Sequence, residues 1–588
     1  MKTSVMEPYA IEQARGQAQL LLQNALISLA TIPSQGIVLE APKEAGNGDV
    51  TFRGAFALAK ALKRSPQEVA QQLADALNHS INAGAAPLLE KAVAAGGYVN
   101  IWCSAKFFDL VTNQVTAAGK QYGSSQTGRG KVAVVEYSQP NVGKPMHVGH
   151  IRSTILGDSV KRLLAFEGYR AVGFNYLGDS GAQVAKLILA TRVLGEQLPK
   201  IEDEKHLLAY YVAIHRKIEA QPNLEVEAQV ILKKIESGDP SVMPDVEKIR
   251  NLSIPAFEKN YELLDVTFDE VIGESAFIQS AKAVVQECLD RNIAEKAERG
   301  EIVVKLEPAG LPNTILLRSN GTTLYLTRDL GLADYKWNTY RPDLFYICTD
   351  ARQNLHFQQV FKTIQLLGRA YQDRLVHQGF GVISLPEGLM STREGRVILL
   401  EDVLSQAIEA AKKEIGEERK DQYTPEQING IARAVGIAAT KFAVLRVAPE
   451  KNVVFDFEKM VRFSGDTGAY LQYTLVRTNS ILAKAGQVPN LAQRVTLTQL
   501  TESERNLVRA LGQFPLVVQP AASRHLPHVL CEYLLELASR FSEFYEKESV
   551  LKAETPQLKE QRLRLVQATQ ITLENGLGLL GIRTPEKM

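Results

Sequence analysis

Cysteine is scarce: four in 588 residues, at 103, 288, 348 and 531, with no CxxC pair among them. That spacing excludes a zinc knuckle and a disulfide framework, and a reducing, cytoplasmic setting is expected. Charge imbalance is lacking too, since 67 basic residues face 66 acidic ones for a formal net charge of +1. Net charge therefore does not announce a nucleic-acid partner, although a local basic face can still hold one. No apolar run approaches membrane-spanning length, and the N-terminal MKTSVMEPYAIEQARGQ has no apolar signal core. A soluble protein without a membrane partner is expected. Repeats and low-complexity segments are also missing. What remains is an ordinary globular composition, 45% apolar and 23% charged, on a chain too long for one core. Two to four domains are expected.

The chain reads in three sections. Residues 9–31 suggest an amphipathic helix with Ile11, Leu20, Leu21, Leu26 and Ile27 in its stripe. A glycine loop around Gly46 and Gly48 and a second helix follow. Ser65-Pro66-Gln67-Glu68 opens a third as a capping box with proline in the first turn, and GGYVNIWC (96–103) reads as a strand. The small, polar YGSSQTGRGK marks a boundary, giving a first domain over 1–122. In the second section, 123–424, KVAVVEY (131–137) is a buried strand. Ile151, Ile155, Leu156, Val160, Leu163 and Leu164 then give helical spacing, and YRAVGFNY returns as strand. This βαβ unit points to a parallel, doubly wound sheet. Residues from about 195 to 300 look like a helical insertion. Asn320-Gly321 in TILLRSNGTTLYL signals a hairpin, and DLFYICTD and RLVHQGFGVI are further buried strands. From the capping box at Thr424-Pro425-Glu426-Gln427, residues 425–588 read as helix after helix.

The stretch EYSQPNVGKPMHVGHIRST (136–154) places His147 and His150 three apart where the strand gives way to the helix. A zinc-protease helix needs i, i+4 histidines with an intervening glutamate, which is missing. A nucleophile relay would need an elbow around Ser138 or Ser153, and none is present. An anion site fits better, because a helix leaving a parallel strand offers free N–H groups and the positive end of its dipole. Gly149 lets a ligand approach the backbone there, and Lys144 and Pro145 shape the entry. The plain alternative is that the histidines only cap the helix or fill the core.

HVGH resembles the HIGH signature of class I aminoacyl-tRNA synthetases. The longer run EYSQPNVGKPMHVGHIRSTILGD, with GESAF, LYLTRDLGLADYK, CTDARQNLHFQQVF, GLMSTREGRVILLEDVL, DTGAYLQYTLVRTNSIL and the terminal GIRTPEKM, resembles the arginyl-tRNA synthetase family over nearly the whole chain. The resemblance implies an α/β fold: a Rossmann-like catalytic domain with a helical insertion, an α+β N-terminal domain meeting the tRNA elbow, and an all-α anticodon-binding bundle. It implies activation of L-arginine with ATP and Mg²⁺, transfer to tRNA(Arg) and dependence of activation on tRNA. No structural metal is expected, and a monomer is. By resemblance, His147 and His150 serve the adenylate transition state, and Gly149, Met390 and Ser391 join them around ATP. The second class I signature reads Leu389-Met390-Ser391-Thr392-Arg393 here, so both lysines of KMSKS are missing. Lys144 is expected to supply that charge, with Arg393 secondary.

Selecting a guanidinium demands carboxylates that match its fork of donors. Tyr325 and Asp329, at i and i+4, align with the family's tyrosine and aspartate, and Glu274 is the second acidic candidate. Asn141 and Gln353 match residues at the amino-acid end, His150 touches the bound arginine, and Glu136 supports the pocket's strand edge. For Asp329 the alternative is an ion pair with Arg328 or Lys336. For tRNA, Tyr98 and Asn100 are candidates at the elbow. Tyr470, Tyr473 and Arg477, with Phe544, Tyr545 and Met588 by resemblance, are candidates at the anticodon, though aromatics at helical spacing also build cores. Two other functions remain open: a non-catalytic synthetase-like tRNA-binding protein, and an adenylyltransferase acting on another small acid.

Overall fold

The structure is a computed structural model, and it describes residues 7–29, 36–40, 42, 45–386, 398–419, 422–486 and 494–588. The first helix, Ala10–Ser28, turns Ile11, Ala14, Ala18, Leu21, Leu22, Ala25 and Leu26 inward. Leu20 and Ile27, expected in that stripe, are more than half exposed. Alanines at helical spacing let the helix sit close on its neighbours, and they set the buried face in place of the bulkier residues. Strands β1 (Leu39–Glu40), β2 (Val50–Phe52), β3 (Leu89–Ala95) and β4 (Tyr98–Cys103) form an antiparallel sheet in the order β1-β2-β4-β3. Helix Pro66–Asn82 starts at the expected box, with Ser65 Oγ accepting from Glu68 N and the Glu68 carboxylate accepting from Ser65 N.

The central sheet comprises β5 (Val132–Glu136), β6 (Arg170–Leu177) and β7 (Glu270–Gly273), and beyond the small antiparallel sheet of β8 (Ala294–Lys296), β9 (Ile302–Val304) and β10 (Thr314–Leu317), also β11 (Leu344–Asp350) and β12 (Leu375–Phe380). Its five strands are all parallel in the order β12-β11-β5-β6-β7. After β5 the chain lays strands on one side through β6 and β7, then on the other through β11 and β12. The crevice between the carboxyl ends of β5 and β11 is thus the switch point, where such sheets bind ligands.

Two expectations change here. The insertion is not helical up to 300: its helices are Glu204–Ala220, Asn223–Ser237 and Met243–Leu263, and Glu270–Gly273 is already the edge strand of the central sheet. Four residues long and only partly buried, β7 lacks the apolar run that marks its neighbours. The hairpin at Asn320-Gly321 is also only a turn, with Leu317 and Thr323 paired by a single bridge. The second β-rich run becomes helix Tyr325–Tyr340, because Leu316 O and a buried Glu236, which accepts from Thr323 N, hold the chain at the helix entry.

Strand β13 (Ile383–Ser384) pairs in parallel with β14 (Val453–Val454), so the chain just past helix Pro425–Leu445 is still tied to the central section. That helix is the one among the described residues long and apolar enough to cross a bilayer, contrary to the reading of the runs alone. Its buried face, including Ile431, Val435, Ala439, Phe442 and Leu445, makes it a core helix. Helices Gly468–Lys484, Glu502–Ser523, Pro527–Lys547 and Pro556–Leu579 complete the C-terminal bundle.

Candidate active site

His147 is the N-cap of helix Val148–Phe166, and its Nδ1 accepts from Gly149 N at 3.0 Å. His147 N in turn donates to His150 Nδ1 at 3.1 Å, and the two rings lie 4.1 Å apart. Burial, with Lys144 nearby, holds His147 down at about 4, and burial beside His147 holds His150 well below its ordinary value. Both imidazoles are therefore neutral near pH 7. Because each Nδ1 accepts, each proton is on Nε2, so the pair presents two N–H donors beside a helix N-terminus. The capping reading is met by the Nδ1 atoms, and those contacts do not use the Nε2 atoms that an anion would need.

Lys144 lies with Nζ 3.9 Å from the centre of the Tyr211 ring, on insertion helix Glu204–Ala220. Met390, Ser391 and Arg393 lie outside the described residues. The chain following them is pinned to the histidine turn, with Val148 N donating to Ile398 O (3.2 Å) and Leu400 N to Met146 O (2.9 Å).

Beside this turn is a cavity of about 440 Å³ at the switch point. Its lining joins Glu136, Gln139 and Asn141 from the end of β5 to Tyr176, Gly178, Glu274, Thr349, Gln353 and His356, with Tyr325 and Asp329 from the opposite helix. Six of the seven residues expected at the arginine site meet here; His150 stands outside the lining, in the histidine turn. Tyr325 is the first residue of its helix, so Tyr325 and Asp329 share one face from the outset.

The three carboxylates have different partners. Glu136 is buried against Lys336 and accepts from Gln139 Nε2 at 2.6 Å. Glu274 Oε1 is 2.8 Å from Arg328 Nη1, yet no hydrogen bond is in line with it. Burial raises this carboxyl to about 7, with Arg328 opposing and Asp179 and Asp329 adding to the rise. The cations feared as partners of Asp329 are thus committed elsewhere. Asp329, in the cavity lining, instead meets His356 Nε2 through Oδ2 at 2.6 Å, and that contact does not use Oδ1. His356 was not among the expected residues, although it sits three positions beyond Gln353 in the quoted CTDARQNLHFQQVF stretch. Gln139 and Thr349 were also missed, although they sit in the quoted EYSQPNVGK and CTDARQN stretches, and so was Tyr176, at the end of the YRAVGFNY strand.

The tRNA candidates separate by exposure. Tyr98 is exposed beside Phe56 (ring centres 5.1 Å apart), but Asn100 is buried and accepts from Thr51 Oγ1 at 2.8 Å, so its side chain belongs to the sheet. Arg477 lies over both Tyr473 (4.7 Å) and Tyr545 (5.3 Å), forming one cluster at the bundle surface. Tyr470 bonds Ser542 Oγ at 3.1 Å. Phe544 and Met588 are buried and pack into the core.

Family models match the three sections in turn: "Arginyl tRNA synthetase N terminal domain" over residues 17–102, "tRNA synthetases class I (R), catalytic domain" over 111–457 and "DALR anticodon binding domain" over 471–588. The last begins later than the 425 read from the sequence. The arginine–tRNA ligase of Clostridioides difficile is 35% identical over 94% of this chain and 95% of its own. That of Halothermothrix orenii is 35% identical over 94% and 95%. The arginyl-tRNA synthetase of Thermus thermophilus superposes with a TM-score of 0.77 at 28% identity, covering 97% of this chain and 99% of that one. A parallel sheet with an anion-ready HxGH turn and a carboxylate-lined cavity at its switch point, read with these matches, places the chain in the arginyl-tRNA synthetase family.

Proposed function

We propose that this arginine–tRNA ligase binds its substrate arginine in the switch-point cavity, with the guanidinium on Asp329 and Tyr325 and the amino-acid end on Asn141 and Gln353. The observation that supports this most is the pairing of Asp329 with a histidine and not with an arginine or lysine, which leaves a carboxylate oxygen for an incoming fork of donors. Glu274 is the second acidic wall, and Glu136 holds the strand edge. ATP lies along the HxGH turn, where the two Nε2–H groups and the helix N-terminus face the charge that develops at the α-phosphate. Magnesium carried on the ATP phosphates would neutralise part of their charge; among the described residues there is no group of three His, Cys, Asp or Glu that could hold a metal ion. The same reading takes the working unit as a cytoplasmic monomer.

Activation is further proposed to depend on tRNA. The N-terminal and C-terminal sections touch each other through Arg509 and Asp49 (2.5 Å). The C-terminal tail touches the histidine helix, whose Ser159 Oγ bonds Leu579 O at 3.1 Å. An RNA gripped at both ends therefore acts on the catalytic section between them. Pyrophosphate exchange with and without tRNA tests both readings. Asp329→Asn is expected to weaken arginine use by about 3–5 kcal/mol, and lysine to be rejected on the order of 10⁴-fold. Near-normal arginine kinetics in Asp329→Asn sinks the pocket, and robust exchange without RNA sinks the dependence.

A further inference from the structure

Between β5 and Asn141 the chain makes a turn that its residues do not favour. Ser138 (φ +76°) and Gln139 (φ +53°) are consecutive non-glycine residues in the left-handed region, a conformation that persists only where surroundings impose it. The surroundings are explicit. Ser138 N donates to Ser153 Oγ (2.9 Å), and Thr154 Oγ1 donates to Ser138 Oγ (2.9 Å), both from the histidine helix. Ser138 Oγ also meets Tyr261 Oη at 2.8 Å. Asn175 Nδ2 donates to the same Tyr261 oxygen at 3.0 Å, while Asn175 Oδ1 accepts from Gln139 N at 3.2 Å. Tyr261 is buried in the last turn of insertion helix Met243–Leu263, its ring packed on Phe268 at 4.8 Å. A single phenol oxygen thus reaches both residues of the strained turn, one directly and one through Asn175.

We propose that Tyr261 is a positioning residue for arginine: it holds Ser138–Gln139 in the left-handed form that delivers Gln139 and Asn141 to the cavity. The assignment rests on reading that cavity as the arginine site. It makes the insertion, through its final helix turn, a part of the amino-acid pocket it does not line. Without the phenol oxygen the turn relaxes toward commoner backbone angles, Asn141 leaves its place, and arginine binds less well. The ATP side, built on His147 and His150, is untouched.

Tyr261→Phe keeps the ring and its packing, so the variant folds and isolates the oxygen. In tRNA-supplemented exchange, the arginine KM should rise about fivefold to tenfold, the weight of one hydrogen bond, with ATP KM and kcat unchanged. Ser138→Gly supplies the discriminating background, because glycine adopts a positive φ without steric cost and lacks the oxygen that Tyr261 holds. There, Tyr261→Phe should raise the arginine KM by clearly less than in the parent, because only the arm through Asn175 to Gln139 is left to lose. An unchanged arginine KM in Tyr261→Phe, an ATP KM that rises in step, or an equal loss in both backgrounds overturns the proposal. Asp329→Asn run alongside separates the two readings. If it raises the arginine KM while Tyr261→Phe does not, the clamp fails and the pocket stands; if neither does, the pocket fails and the clamp with it.

Discussion

At the scale of single residues, Lys144 shows how identity and placement divide the explanation. Lys144, three residues before His147, is the cation we propose for the departing pyrophosphate in place of the missing KMSKS lysines. In the folded chain its ammonium rests on the face of Tyr211, a contact that holds a cation without neutralising it. A charge so held remains available to phosphate, as an ion-paired lysine such as Lys336 on Glu136 is not. Lys144→Ala should lower the rate of adenylate formation by about 10²–10³, the usual loss for one donor preorganised toward a charged transition state. Arginine affinity should change little, and Lys144→Arg should rescue only in part, because a planar fork does not replace a compact ammonium. Single-turnover adenylate formation in saturating arginine, ATP and tRNA is the measurement; a rate near that of the parent would mean that the charge comes from elsewhere.

Among the elements, helix Val148–Phe166 carries the most. It presents the histidines at one end and packs across β5, β6 and β11 with the rest of its length, and Gly157 allows the close approach to the end of β5. A Cβ at that position would fall 2.2 Å from Cβ of Tyr137, the residue following β5. Gly157→Ala should therefore destabilise the protein by about 1–3 kcal/mol of overpacking, even though alanine favours a helix interior by about 1 kcal/mol. Chemical denaturation would show it, and an unshifted midpoint would mean that helix and strand separate without cost. How readable an element is follows from how it is buried. β5, β6 and β11 are covered on both faces and announce themselves as apolar runs, and capping boxes at Ser65 and Thr424 mark helix starts through local hydrogen bonds. The edge strand β7 is short and half-exposed, so its sequence merges with the helices before it. The entry to Tyr325–Tyr340 was misread because its β-prone residues are held there by distant Glu236, which no local pattern contains.

Across the whole molecule, the end of the chain returns to the catalytic section. Gly581 abuts Asp158 of the histidine helix, Arg583 pairs with Asp265, and Lys441 Nζ donates to Gly581 O at 2.6 Å. Lys441 is fully enclosed, and burial lowers it from its ordinary 10.5 to about 8, with Asp158 opposing. Between those pH values the unfolded chain binds a proton that the native protein does not, so this group's contribution to stability rises with pH. Below about 8 both states are protonated and its unfavourable contribution is constant. Measured by denaturation, the parent should gain stability relative to Lys441→Met as pH rises from 8 toward 10.5, the remaining groups being common to both proteins. A flat difference would mean that the ammonium is solvated where it sits.

The sequence by itself determined the buried strands, the HxGH turn and the helix caps, because each depends on neighbours within one or two turns of chain. Only the tertiary structure decided which charges are already spoken for. Arg328 and Lys336 go to Glu274 and Glu136 and leave Asp329 to His356, pairings that span 27 to 200 residues. It also decided which candidate tRNA contacts face solvent: Tyr98 and Tyr545 do, whereas Asn100, Phe544 and Met588 are enclosed. Burial and pairing are properties of what the fold brings alongside a residue, and periodicity records only the direction in which that residue points.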